Sequence, residues 1–165
     1  MLSPESLKKI DAAIAKYPPG RRESAVMAAL AIAQDEKGWL APETIEFVAG
    51  YLGMPPVAVQ EVVSFYAMYD REPVGRYKVT ICTNLPCALR DAVNSAEYLM
   101  EKLGIGWNET TDDCLITLKE GECFGACGDA PVLLVNNKRM CSYMHPREID
   151  ALIDQLRAAE KAQPR

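Results

Sequence analysis

Four of the six cysteines in this chain stand in two short pairs. Cys82 and Cys87 form a C-x4-C element, Cys123 and Cys127 form a C-x3-C element, and 35 residues separate the pairs. Only one histidine, His145, accompanies them. The segment Met1–Lys9 has no apolar stretch of the kind an export signal needs, so a reducing compartment is expected. There, thiols stay reduced, and clustered cysteines read as metal ligands or redox groups rather than as a disulfide framework. A lone histidine leaves little room for mixed Cys/His sites or for histidine-based catalysis.

The pairs sit in the second half of a chain whose two halves differ. The first 70 or so residues read as helices. Ser3-Pro4 caps and starts one, Leu7, Ile10, Ile14 and Tyr17 share its face, and Pro18-Pro19-Gly20 ends it. A second helix is expected from about Arg22 to Lys37, with Ala25, Ala28, Ala29, Ala31 and Ala33 suited to close packing. Pro42 opens a third, with Ile45, Val48 and Leu52 on one face. Pro55-Pro56 opens a fourth, through Val59, Val62, Val63 and Tyr66. Short amphipathic helices with tight connections imply a small bundle.

Arg71–Gly75 reads as the boundary, giving a helical bundle over 1–75 and a second domain over 76–165. Tyr77, Val79 and Ile81 alternate with Lys78 and Thr80, a strand pattern. A helix is expected from about Cys87 to Leu103, and a short strand over Leu115–Leu118. Val132–Val135 and Lys138–Cys141 flank Asn136-Asn137, a two-residue hairpin turn. Pro146 opens a last helix, with Ile149, Leu152, Ile153 and Leu156 on one face. The order strand, helix, strand, hairpin, helix is that of a small thioredoxin-like α/β layer.

Composition removes other classes. With 18 Lys+Arg against 23 Asp+Glu, the net charge of −5 argues against a nucleic-acid binder. The longest charge-free run, Phe47–Gln60, has 14 residues and is broken by glycine and proline. A membrane span needs about 20 apolar residues. No G-x-G-x-x-G follows a strand, so no dinucleotide fingerprint is recognisable here.

Cys82 falls at a strand end and Cys87 behind Pro86 near a helix start. Cys123 and Cys127 fall in a loop containing Gly121, Gly125 and Gly128. Helix starts favour thiolates, and glycines let backbone N–H groups approach a bound object. Loops at one edge of an α/β layer can bring the four sulfurs together. Structural zinc favours shorter C-x2-C knuckles, whereas a [2Fe–2S] cluster suits longer ligand loops. The plant-type ferredoxin order is not matched, because no C-x2-C follows the first pair. Spacing alone favours the cluster and leaves zinc and a thiol–disulfide pair open.

The segments Cys82-Thr-Asn-Leu-Pro-Cys87 and Glu122-Cys123-Phe-Gly-Ala-Cys127-Gly-Asp-Ala-Pro131 resemble the thioredoxin-like [2Fe–2S] ferredoxin family. The resemblance covers nearly the whole chain, including Ser64-Phe65-Tyr66 and Pro73-Val74-Gly75. It implies a thioredoxin-like second half with Cys82, Cys87, Cys123 and Cys127 as ligands of one [2Fe–2S] cluster. Cys114 and Cys141 match no ligand position. Within the family the chain is similar to the small [2Fe–2S] subunits of respiratory NADH-oxidising complexes. That likeness implies a role in one-electron transfer, without a catalytic acid, base or nucleophile of its own. It implies a flavin- and NADH-binding partner subunit that holds the FMN, and other hydrophilic-arm subunits as neighbours. It also implies a peripheral position on the cytoplasmic face of the inner membrane, and a cluster near the flavin but off the main electron chain. Related subunits occur in NAD-linked hydrogenases and formate dehydrogenases.

The remaining residues carry plainer expectations. Cys114 and Cys141 are expected as small buried side chains. His145 is expected at the surface or as a cap, and Trp39 and Trp107 as half-buried loop aromatics. Asp112, Asp113, Glu120 and Glu122 read as solvated charges. Glu122 and Asp129 flank the second pair, where negative charge is expected to lower the potential of a bound cluster.

Overall fold

Prolines set where three of the first four helices begin. In the computed structural model, which describes residues 1–162, these are α1 (Pro4–Ile14), α3 (Pro42–Leu52) and α4 (Pro56–Phe65). Pro at the first helical position loses no hydrogen bond and arrives with its φ preset. Helix α2 (Val26–Lys37) follows a single 3-10 turn over Arg22–Ala25 and stops at Gly38, whose φ is 85°. The hydroxyl of Ser3 accepts the N–H of Ser6 at 3.2 Å, capping α1 as its sequence predicts. Ile10, Leu30, Leu40, Val48, Val59 and Val63 are the largest fully buried side chains of the core these helices share, and Ala25, Ala29 and Ala33 are buried among them. Tyr17 departs from the predicted stripe: α1 ends at Ile14 and Tyr17 is exposed. The cause is Pro18, which disfavours helical backbone in the residue before it.

The chain divides into two units, Met1–Pro73 and one beginning at Val74. The second is built on β1 (Tyr77–Cys82), α5 (Leu85–Ala88), α6 (Ala92–Leu103), β2 (Ile116–Gly121), β3 (Leu133–Val135), β4 (Arg139–Cys141) and α7 (Pro146–Ala162). The strands form one sheet in the order β2-β1-β3-β4. Strands β1 and β2 run parallel, paired residue for residue from Tyr77↔Ile116 to Cys82↔Gly121. The other two pairings, β1 with β3 and β3 with β4, are antiparallel. Val79, Ile81, Leu99, Leu118, Leu133 and Ile149 are buried in its core. The face of α7 predicted from its pattern, Ile149, Leu152, Ile153 and Leu156, is the buried one. No helix among the described residues is long and apolar enough to cross a membrane.

Two local expectations are corrected. The single helix expected from Cys87 to Leu103 is broken into α5 and α6 by Asp91, whose φ is 73°. Aspartate tolerates the left-handed region better than most residues, and Asn94 donates to its carboxylate. Strand β2 continues to Gly121 rather than stopping at Leu118, because its register with β1 carries it on. Lys78 is buried, as befits a residue of a central strand.

The hairpin turn does more than its two asparagines suggested. Asn136 and Asn137 both have positive φ (52° and 56°), the type I′ geometry. The Asn136 side chain also accepts the N–H of Lys78 at 2.7 Å, and its amide donates to the carbonyl of Arg76 at 3.2 Å. It thereby ties the turn to the start of β1. Asn136→Ala removes both the acceptor and the donor, so a loss of about 1–3 kcal/mol is expected in thermal or denaturant unfolding.

Candidate metal centre

Each cysteine of the two pairs reaches one end of the sheet by a different route. Cys82 is the last residue of β1; its N–H donates to Val132 at 3.1 Å. The chain then turns at Asn84, whose side chain accepts the N–H of Leu85 at 3.1 Å and caps the single turn α5. Cys87 lies in that turn, so it is not at the mouth of a long helix as the sequence suggested. Cys123 and Cys127 follow the end of β2, with Gly125 at φ 76° between them. A left-handed residue there costs glycine little and lets the loop close on itself. The Gly125 N–H donates to the Cys123 sulfur at 3.3 Å.

The pairs differ in exposure. Cys82 and Cys87 are buried in a small cluster with Ala92, Ala130 and Val132, with Phe124 and Ala126 packed against it. Cys123 is exposed and Cys127 partly so. Burial pushes the Cys87 thiol up to about 11, and Cys82, Cys127 and Cys123 push in the same direction. The Cys127 thiol is also raised, first by its hydrogen bond with Cys123. The four sulfurs therefore act on one another electrostatically. Neighbouring anions in a partly dry site repel, and a bound cation removes that penalty by displacing the protons.

The donor set suits a two-metal cluster. The sulfurs of Cys123 and Cys127 are 3.8 Å apart. Two sulfurs on one tetrahedral metal with bonds of about 2.3 Å stand about 3.8 Å apart. Cys82 and Cys87 lie together in the neighbouring buried cluster, and Cys82 is the group that, after burial, does most to raise the Cys87 thiol. Among the described residues no group of three or more His, Cys, Asp or Glu side chains gathers around a single ion. A 2+2 arrangement of thiols answers the needs of two irons, each taking two sulfurs.

The carboxylates nearby are less free than the sequence implied. Glu120 accepts the Thr83 hydroxyl at 2.6 Å, and Glu122 accepts the Asn84 amide at 2.9 Å. Glu120 lies in β2 and Glu122 just beyond its end. Asp129 accepts the hydroxyls of Ser142 and Tyr143, each at 3.1 Å, and its carbonyl accepts the Tyr143 N–H at 2.8 Å. No sequence pattern tied Ser142 and Tyr143 to the second loop. Cys141 is buried as expected, whereas Cys114 is exposed. Cys114 occupies a tight turn with φ 55°, its N–H donating to Thr111 at 2.7 Å, and the turn directs it outward. His145 is exposed, and Trp39 and Trp107 are half-buried.

The two cysteine pairs thus stand near one another at one end of a thioredoxin-like layer. The profile of the thioredoxin-like [2Fe–2S] ferredoxins matches residues 10–157, and the chain belongs to that family, whose cofactor is a [2Fe–2S] cluster. It is 39% identical over 152 residues to an NADH-quinone oxidoreductase subunit of Thermus thermophilus, covering 92% of this chain and 84% of that protein. It is 41% identical over 145 residues to an NADH-quinone oxidoreductase subunit of Rickettsia bellii, covering 87% and 86% respectively. An NAD+-reducing [NiFe]-hydrogenase chain shares the fold, with a TM-score of 0.67 and 21% identity. That match covers 82% of this chain and 24% of the hydrogenase chain.

Proposed function

We propose that Cys82, Cys87, Cys123 and Cys127 hold one [2Fe–2S] cluster, and that the chain is the electron-transfer subunit of an NADH:quinone oxidoreductase. The observation that carries this reading is the meeting of two thiol pairs at one sheet end, one of them in the separation that a single metal's two ligands require. The cluster, when bound, supplies a centre that takes up and releases one electron at a time. The chain's own residues supply everything else. Burial of Cys82 and Cys87 keeps water from one side of the site, and the Gly125 N–H offsets negative charge on the Cys123 sulfur. The exposure of Cys123 leaves a short path for an electron to a docked partner.

The partner in this reading is the NADH-binding subunit carrying FMN, with other hydrophilic-arm subunits around it. Both cofactors belong there, because Gly104-Ile105-Gly106 follows a helix, where a dinucleotide fingerprint would follow a strand. The identity of 39% and 41% to subunits of NADH-quinone oxidoreductase over most of the chain supports this assignment. So do Leu85 and Leu89, large apolar side chains exposed beside Cys87. A complex of this kind places the chain on the cytoplasmic face of the membrane without inserting it.

Protein purified anaerobically is expected to be brown, with iron and sulfide in equal amounts and a paramagnetic signal after reduction. Colourless protein holding zinc would overturn the cluster. Gentle extraction from native membranes is expected to bring the chain out with a flavoprotein that oxidises NADH. Recovery with a hydrogenase instead would reassign the complex while leaving the cluster intact.

A further inference from the structure

We propose that the Asn84–Glu122 hydrogen bond is a strut that sets the separation of the two cysteine pairs, making both side chains positioning residues for the metal centre. The inference rests on the assignment of the four cysteines as ligands. Asn84 lies inside the first ligand loop and organises its turn. Its side-chain oxygen accepts the Leu85 N–H at 3.1 Å, and its carbonyl accepts the N–H groups of Cys87 and Ala88, both at 2.9 Å. The turn that carries Cys87 therefore hangs from Asn84. The side-chain amide nitrogen of the same residue donates to Glu122 at 2.9 Å.

Glu122 is the residue before Cys123. This bond thus links the loop of the first pair to the loop of the second, between residues 38 apart in sequence. It lies beyond the regular pairing of β1 with β2, which ends at Cys82↔Gly121. The Thr83 N–H reaches the Gly121 carbonyl at 3.4 Å and the Thr83 hydroxyl reaches Glu120, so those contacts hold the strand ends rather than the loops. The Asn84–Glu122 bond is exposed, and its contribution to fold stability is small. Its effect falls on geometry. Groups that hold metal ligands in place typically change metal retention by about 10–100-fold when removed, and an exposed one belongs at the low end.

The test uses full-length, cluster-loaded protein and follows loss of visible absorbance to an iron chelator, with the paramagnetic spectrum as a second readout. Glu122→Gln removes the charge but keeps an oxygen to accept from Asn84. It is expected to release iron at the wild-type rate. Glu122→Ala removes the same charge and the acceptor together. It is expected to release iron about 10-fold faster and to broaden the spectrum. Asn84→Asp keeps the helix cap but sets carboxylate against carboxylate, and is expected to behave like Glu122→Ala. Adding Glu122→Gln to Asn84→Asp restores a donor and acceptor in reversed order, and with them the slow rate. Equal rates for Glu122→Ala and Glu122→Gln would overturn the strut, as would a double variant as fast as Asn84→Asp. Wild-type protein that takes up no iron would overturn the ligand assignment itself, a result separable from failure of the strut.

Discussion

Serine at any one of positions 82, 87, 123 or 127 is expected to strip the [2Fe–2S] cluster or cut its occupancy severely. Cys114→Ser and Cys141→Ala are expected to leave it intact. Iron and sulfide content and the reduced-state paramagnetic signal make the measurement. The four ligand variants should also divide into two groups in their cluster-free forms. Cys82 and Cys87 are buried, so a hydroxyl there lies in an apolar pocket, at a cost of about 1–3 kcal/mol unless it finds a partner. Cys123 is exposed, and Cys123→Ser should leave the melting temperature of the cluster-free protein unchanged. Loss of the cluster in Cys114→Ser but not in Cys123→Ser would show the ligand set to be wrong.

The second large effect is expected from a single methyl group. Gly121 pairs with Cys82 across the β1–β2 ladder. A side-chain carbon at this position would lie 2.5 Å from Phe124 and 2.7 Å from the methyl of Thr80. Thr80 is β-branched and sits on a strand, so it has little room to turn. Phe124 can move, but it stands between Cys123 and Gly125, and its ring packs against the pocket of Cys82 and Cys87. Gly121→Ala is therefore expected to cost about 1–3 kcal/mol in unfolding and to lower cluster occupancy at the same time. Parallel measurement of the melting curve and the iron content checks both. A variant with normal iron content and normal stability would mean that Phe124 swings aside freely.

Much of this arrangement was legible in the order of residues. Proline marked the starts of α1, α3, α4 and α7, because its ring states the backbone angle directly. Asn136-Asn137 marked the hairpin, because positive φ at two successive positions needs such residues. The four cysteines stood out by their spacing, and the family match supplies a [2Fe–2S] cluster as the cofactor. Features made by distant partners were not legible. Asp91 breaks a helix whose apolar pattern runs straight through the break. Cys114 faces outward because of a turn closed by Thr111, while its residue type argued for burial. Glu120 and Glu122 looked like solvent charges because Thr83 and Asn84, their partners, lie 37 and 38 residues away. Pattern within a window reports which face is apolar, but it is silent about which polar group will arrive opposite.

The parallel register of β1 and β2 has a consequence for how such a protein can vary. Six consecutive residue pairs, from Tyr77↔Ile116 to Cys82↔Gly121, act as a ruler with graduations of about 3.3 Å. A slip of one graduation would turn Cys82 to the opposite face of the sheet and draw the second pair out of reach. Helices α5 and α6 fill most of the stretch joining the two strands, so its length is free to change only in the loops between elements, where each doubling of a flexible segment costs only about 0.6 kcal/mol. The count of residues between the two cysteine pairs can therefore drift over generations while the gap between their sulfurs stays constant.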